Sequence, residues 1–457
     1  MSPKNIKSHN NSKDSCFMDF AKYSSLNVLG MLGLSGYILA DTFFISKSLG
    51  TNGLAALNLA IPIYSFISGI GLMIGMGAGT KFSIQKSRQN QKNSNRIFTN
   101  AVYLTAIFSV LLFLSGLFLS ESIVRVLRAD ENLFSMTKTY IQVLLLFAPA
   151  FLTNNLLICF VRNDGAPQLS MAAMLGGSVS NIILDYIFIF PLQMGMFGAV
   201  LATALAPIIS ILILSPHFIK KKNNFHFARC KFSAEFAAGF FSSGLPSLIT
   251  EMSSGIVMII FNNIILSLQG NTGVAAYGII ANLSLVVIAV YTGIAQGIQP
   301  IISSNFGAGN TKKIQSILKY ALTTMLLLSA FIYTGIFFKA SSIASIFNSE
   351  CNQLLQAIAV QGLKLYFIAC PFVGFNIIIS IYFTSTDYAK PAHIISFLRG
   401  FLLIIPMVFF LSKLFGITGV WLSFPATEFL VMLLGTSFYI VNQQKKKKKN
   451  TEIESSR

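Results

Sequence analysis

The chain has 457 residues, 54% of them hydrophobic and only 11% charged, where a soluble domain carries about 25% charged residues. Its 33 lysines and arginines outnumber 15 acids, a formal charge of +18. That balance excludes an ordinary soluble domain, and apolar runs of about 20 residues along the whole length point to a multi-spanning membrane protein.

With no water in the bilayer core, each run must be a helix or part of a closed barrel; the runs are continuous, not alternating, which favours helices. In chain order the sequence predicts a polar, basic head over 1–22 without a cleavable signal peptide. Six helices follow, near 24–46, 54–79, 97–119, 139–161, 168–190 and 197–216. A charged linker over 217–235 leads to six more, near 236–268, 273–300, 318–338, 361–384, 390–411 and 418–441, and to a basic tail over 442–457. The expected fold class is all-α integral membrane, with an N-lobe at 23–216 and a C-lobe at 236–441.

Shifted by 220 residues, the halves match. GLAALNLAIPI at 53–63 faces GVAAYGIIANL at 273–283, and SIVRVL at 122–127 faces SIASIF at 342–347. Pro149 faces Pro371, NDGAP at 163–167 resembles TDYAKP at 386–391, and GMFGAVLATALA at 195–206 faces GITGVWLSFPAT at 416–427. The twelve helices therefore form two six-helix lobes in parallel repeat, an arrangement typical of transporters with a midplane site.

Twelve spans put both termini on one side. The loops on that side hold Lys81 to Arg96, Lys220 to Lys231 and Lys312 to Lys319, and the tail adds Lys445 to Lys449; Lys47, Arg125, Arg128, Lys138, Lys339, Lys364 and Lys413 fall opposite. By the positive-inside rule both termini are cytoplasmic and the protein is multi-pass in the plasma membrane. The net charge thus needs no nucleic acid, and KKKKK at 445–449 is suited to anionic lipid headgroups. Cys16, Cys159, Cys230, Cys351 and Cys370, like the four histidines, show no metal-ligand or disulfide spacing. NFGAGN at 305–310 lacks the strand and Lys-Ser/Thr of a phosphate loop and reads as a tight turn.

Four acids lie inside apolar helices: Asp41, Asp185, Glu251 and Glu428. Each costs roughly 2.5–3.5 kcal/mol on insertion scales. No lysine or arginine is expected at comparable depth; Lys364 and Arg399 are placed near helix ends, where long stems snorkel. Buried acids without bases either bind a cation or hold a proton. Asn181 and Asp185, four apart, share one face of the fifth helix, with Gly177 leaving room there for a neighbouring backbone. Asp41 in the first helix, Thr203 in the sixth, and Asn154 and Asn155 in the fourth complete a set of hard oxygen donors. The set suits a proton, or sodium held by Asp41, Asn181, Asp185 and Thr203. Glu251 and Glu428 are the second-lobe candidates for substrate or cation contact.

The stretches ADTFFISKSLGTNGLAALNLAIPI, SNIILDYIFIFPLQMGMFGAVLATALA, GLPSLITE, IQPIISSNFGAGN and GITGVWLSFPATE carry a resemblance. Over residues 20–440 the chain resembles the multidrug and toxic compound extrusion (MATE) family, on its DinF-like and MepA-like side. The resemblance implies a V-shaped pair of six-helix bundles, a secondary active exporter of organic cations driven by proton or sodium entry, monomeric and in contact with membrane lipid. It implies an ion site at Asp41, Asn181, Asp185, Thr203 and Asn154 or Asn155, with Glu251 matching a seventh-helix acid widespread in the family. Two departures stand out. Leu26 occupies the neighbourhood of a first-helix proline found in many relatives, and 361–384 carries only Lys364 where the NorM-like branch has an acid. No enzyme activity and no cofactor beyond the coupling ion are expected. The alternative is a lipid-linked precursor flippase of the related polysaccharide-exporter type; such proteins want arginines lining the cavity, and the sequence shows none at depth.

Overall fold

The computed structural model describes residues 4–127, 129–348 and 352–455. Arg128 and Cys351 fall outside the described residues, as do the side chains of residues 1–14 and 446–457, and with them most of the lysine run. All regular structure among the described residues is helical. Among the described residues, eight helices and one bent helix pair are long and apolar enough to cross a membrane. Three of these are broken by a glycine outside helical space: Gly50 (φ 63°, ψ −151°), Gly270 (φ 61°, ψ −157°) and Gly416 (φ 57°, ψ −135°). Each break turns one long helix into two spans, and the described residues thereby hold the twelve that the sequence predicts.

We number the spans α1 (residues 4–49), α2 (51–87), α3 (Gln91–Phe118), α4 (131–163), α5 (Pro167–Ile189), α6 (Gly195–Ile219), α7 (234–269), α8 (271–307), α9 (Thr311–Phe347), α10 (353–385), α11 (389–415) and α12 (417–455). A short helix, Ser120–Val126, which the sequence reading missed, sits between α3 and α4. Local chemistry sets the ends and bends. The Asn90 side chain caps α3 by accepting from the Asn93 N–H at 3.1 Å. In α4 the chain bends by 49° at Phe147, two residues before Pro149, because proline cannot donate to the preceding turn. The matching Pro371 of α10 follows a short 3₁₀ turn, Phe367–Ala369. In α11 the turn Leu398–Leu402 widens to a π-helix.

The repeat seen in the sequence is written into the backbone. Left-handed residues pair across the halves: Gly50 with Gly270, Gln89 with Gly309, Gly165 with Asp387, and Gly195 with Gly416. Their separations of 220 to 222 residues are those of the sequence repeat. These positions require φ near +60° or beyond, which glycine adopts freely and other residues rarely do.

The chain forms two compact units. The first, Met1–Ile256 with Ala289–Ala321 and Thr384–Asp387, contains α1 to α6 together with parts of α7, α8 and α9. Inside it, backbones touch at two crossings. A Cβ added at Gly244 of α7 would lie 1.8 Å from the Met73 carbonyl of α2, and one at Gly77 would lie 2.1 Å from the Phe240 carbonyl. On α8, Gly293 and Gly297 meet the backbone of α1 at Val28 and Ser24, with added Cβ atoms 2.6 and 2.7 Å from their Cα atoms. The repeat maps one crossing onto the other, and small residues are what such close packing needs in lipid. Phe82, Phe98, Phe160 and the linker's Phe225 form an aromatic cluster with ring centroids 4.6–5.6 Å apart.

The second unit, Val257–Ile288 with Leu322–Phe383 and Tyr388–Arg457, is organised around Trp421, which is fully buried. Trp421 stacks on Tyr277 at 6.1 Å, and Gly362 leaves room for its ring, since an added Cβ would sit 3.1 Å from it. Tyr366 stacks on Phe424 at 4.5 Å with an interplanar angle of 11°.

Candidate ion-coupling site

The site is built inside the first unit, where α5 packs against α1 and α6. Gly177 allows this approach as expected: a Cβ there would lie 3.2 Å from the Ala206 carbonyl of α6. Asn181 and Asp185 are both fully buried on the same face of α5. The hydrogen-bonding pattern fixes the Asn181 amide: its nitrogen donates to Asp185 Oδ2 at 3.0 Å, and its oxygen accepts from the Thr203 N–H at 3.2 Å. The Thr203 hydroxyl donates to the Ala199 carbonyl at 3.2 Å. Asp41, 6% exposed on α1, interacts electrostatically with Asp185. Tyr140 of α4 interacts with the side chains of both Asp41 and Thr203 and so joins α1, α4 and α6. Tyr140 carried no signal in the sequence, where a lone tyrosine in an apolar helix reads as bulk.

Each carboxylate keeps one buried oxygen without a hydrogen-bond partner, Oδ1 of Asp41 and Oδ1 of Asp185. An orphaned buried carboxylate oxygen is costly, and two interacting carboxylates repel. A proton or a small hard cation relieves both penalties. Among the described residues no group of three His, Cys, Asp or Glu could hold a metal ion.

Hydrogen bonds tie Asn181, Asp185 and Thr203 together, and Asp41 joins them through electrostatic interaction; none of these contacts brings in the two asparagines of α4. Asn155 donates to the Ser68 carbonyl at 3.4 Å and packs where Gly71 and Gly75 leave space. The Asn154 Oδ1 is buried without a partner. Glu251 of α7 packs beside Gly69 of α2, with its Cβ 3.3 Å from a Cβ built there. It interacts with Tyr64, whose hydroxyl lies 2.6 Å from that of Tyr37. Because Tyr64 also feels Asp41, a phenol pair lies electrostatically between the two acids.

The expectation of no basic residue at the depth of the four acids is corrected at Arg399. Glu428 is not a lone acid: Arg399 grips its Oε1 through Nη2 at 2.9 Å and Nε at 3.1 Å, and Asn376 donates to Oε2 at 2.7 Å. The π-turn at Leu398–Leu402 carries the guanidinium there. With its charge matched, Glu428 loses the premise on which it was a candidate for cation contact. Arg162, at the end of α4, is fully buried. It donates through Nη1 to Asn27 at 2.8 Å and Gln296 at 2.9 Å, and through Nη2 to the Met76 sulfur at 3.1 Å.

Arg162 belongs to a polar seam at the lysine-rich end of the first unit. Fully buried Gln299 of α8 donates to Thr80 Oγ1 at 2.9 Å and accepts from Asn163 at 3.0 Å. Ser83 donates to the Pro300 carbonyl at 3.3 Å, and Lys81 pairs with Asp387. Alongside, buried Asp164 collects Lys86 at 2.6 Å, His217 at 2.9 Å and the Asn224 N–H at 2.9 Å, which anchors the linker between the halves.

A family model described as MatE matches residues 28–187 and 246–410. The chain is 26% identical over 423 residues to the multidrug export protein MepA of Staphylococcus saprophyticus and, equally, to that of Staphylococcus aureus, covering 92% of this chain and 93% of each relative. Its fold resembles that of a MATE transporter crystallised in complex with MaL6 (TM-score 0.89, 23% identity, 94% of this chain and 97% of that one). It also resembles an outward-facing multidrug resistance MATE family transporter of the MOP superfamily (TM-score 0.88, 22% identity, 94% and 96%). The family model covers both repeats and most of the chain, and the protein belongs to the MatE family of multidrug and toxic compound extrusion transporters.

Proposed function

We propose that this transporter is a secondary active exporter of organic cations, an antiporter coupled to protons or sodium, working by alternating access from the plasma membrane. The observation that carries the reading is the Asp41–Asp185 pair, each with a buried oxygen left unbonded. Unloaded, the pair presents negative charge in a low dielectric and favours a lipophilic cation. Loaded with a proton or sodium ion, it no longer repels itself and gives the cation up. Each ligand moves the conformational balance only by its differential affinity for the two states, so competition at the same acids yields antiport. Asn181 orients Asp185, and Tyr140 supplies a hydroxyl at Asp41 and Thr203. Glu251, linked through Tyr64 and Tyr37, extends negative potential toward the substrate path. With the lysine-rich end facing the cytoplasm, the polar seam is the barrier on that side.

Fluorescent cation transport in proteoliposomes, with proton and sodium gradients imposed separately, tests the proposal. One gradient drives export by the wild-type protein, and Asp41→Asn and Asp185→Asn each abolish it while the protein stays folded. Gradient-driven export that survives in both variants refutes the coupling role. Absence of cation transport under either gradient refutes the substrate class.

A further inference from the structure

A groove of about 710 Å³ runs between α3 and α4 of the first unit, roofed at its lysine-rich end by the linker residues Asn223 to Phe227. Along α3 it extends from Phe98 to Phe113, about 22 Å at roughly 1.5 Å per residue. One leaflet of hydrocarbon is about 15 Å deep, so the groove accommodates an acyl chain lengthwise. Its wall is apolar except for the side chains of Thr105, Ser109 and Thr153 and of the roof residues Asn223 and His226.

The roof is held in place. The N–H groups of His226, Ala228 and Ser233 donate to Asn95 at 3.1 Å, Thr99 at 2.8 Å and Asn100 at 2.7 Å, all on α3. The linker carries Lys220, Lys221, Lys222, Arg229 and Lys231, all exposed, and the sequence has no acid between Asp185 and Glu235. A long apolar slot under a linker of exposed basic residues describes a ligand with a hydrocarbon tail and an anionic head.

We propose that this groove binds an anionic phospholipid, with one acyl chain along α3 and the phosphate against the basic linker. The bound lipid holds the linker, the covalent connection between the two repeats, down on α3.

Quenching by brominated lipids tests this in the full-length protein. Phe113→Trp places a reporter in the groove, and Phe331→Trp on α9, at a position 78% exposed, is the control. Trp421 is fully buried and gives a constant background. Brominated phosphatidylglycerol reaches half-maximal quenching of the groove reporter at a mole fraction at least about five-fold lower than brominated phosphatidylcholine, an effect within reach of one well-placed basic residue. The control reporter shows no preference. Lys222→Gln, Arg229→Gln and Lys231→Gln together bring the ratio at the groove to about one. Equal quenching by both lipids in the unmodified linker overturns the proposal, as does a preference that survives the triple substitution. Protection of the reporter by a transported dye cation in purely neutral lipid also overturns it, since the occupant is then the cation. Where Phe113→Trp folds poorly, Val110→Trp on the same wall gives the same readings.

Discussion

Replacing Arg399 by methionine should be among the most damaging single changes outside the ion-coupling site. The side chain of Glu428 is 2% exposed and that of Arg399 12%. Two guanidinium hydrogen bonds and the Asn376 amide satisfy the carboxylate. Arg399→Met leaves Glu428 with one donor and an uncompensated charge, and breaking a buried pair in this way costs about 3–5 kcal/mol. At roughly 2 °C per kcal/mol for a large domain, the thermal midpoint falls on the order of 6–10 °C. The partner variant carries the information. Arg399→Met with Glu428→Gln removes both charges and keeps an amide for Asn376 to bond, so it recovers most of the loss, as neutral replacements of buried pairs commonly do. The midpoints are read from the soluble fraction after graded heating in detergent, and dye export is measured in parallel. A single variant that melts within a degree of wild type, or a double variant no better than the single, refutes the account of a matched, structural pair.

Gly244→Ala drives a methyl into the Met73 carbonyl and should sharply lower folded yield, whereas Gly335→Ala on α9, where no atom lies within 4 Å, should stabilise by about 1 kcal/mol through helix propensity; comparative thermal melting decides. Gln299→Leu strands Thr80 and Asn163 at a cost of about 1–3 kcal/mol, so a cysteine at fully buried Ser303 should react with a water-soluble maleimide about tenfold faster than in the Gln299 background. Half-buried Glu121, bonded to Lys138 at 3.0 Å and Arg125 at 2.8 Å, is pulled below the usual carboxylate range by those two cations, Lys138 first. Its contribution is therefore present above the free carboxyl value and fades as pH falls through the lower folded value. A carboxyl NMR titration should show that low midpoint, and Lys138→Gln should move it upward.

The spans were legible because lipid imposes a length, and the repeat because stretches such as 53–63 and 273–283 kept matching residues at a fixed offset, whereas the left-handed pair Gly50 and Gly270 came only with the backbone. Within the site, the Asn181–Asp185 contact follows from helical spacing alone. Tyr140 was not legible, since nothing in its neighbourhood on the chain distinguishes a phenol that reaches a carboxylate from one that fills space. Adjacent Asn154 and Asn155 face different directions on one helix, so only the fold decides their partners. The Arg399–Glu428 pair was missed for a related reason: the arginine reaches its acid from a π-turn, and a widened turn has no hydrophobic period to announce it.

The paired turns have a further meaning at position 387. Its counterpart is Gly165, yet the residue here is an aspartate held at φ 57°, a conformation that costs a non-glycine residue about 1–2 kcal/mol. What the aspartate supplies in return is the carboxylate that holds Lys81. The fastening across the seam thus rests on a residue whose own backbone favours its removal. Asp387→Gly would relax the turn and release the lysine in a single step, and any selection for quicker opening would meet no resistance there from selection for a sturdier chain.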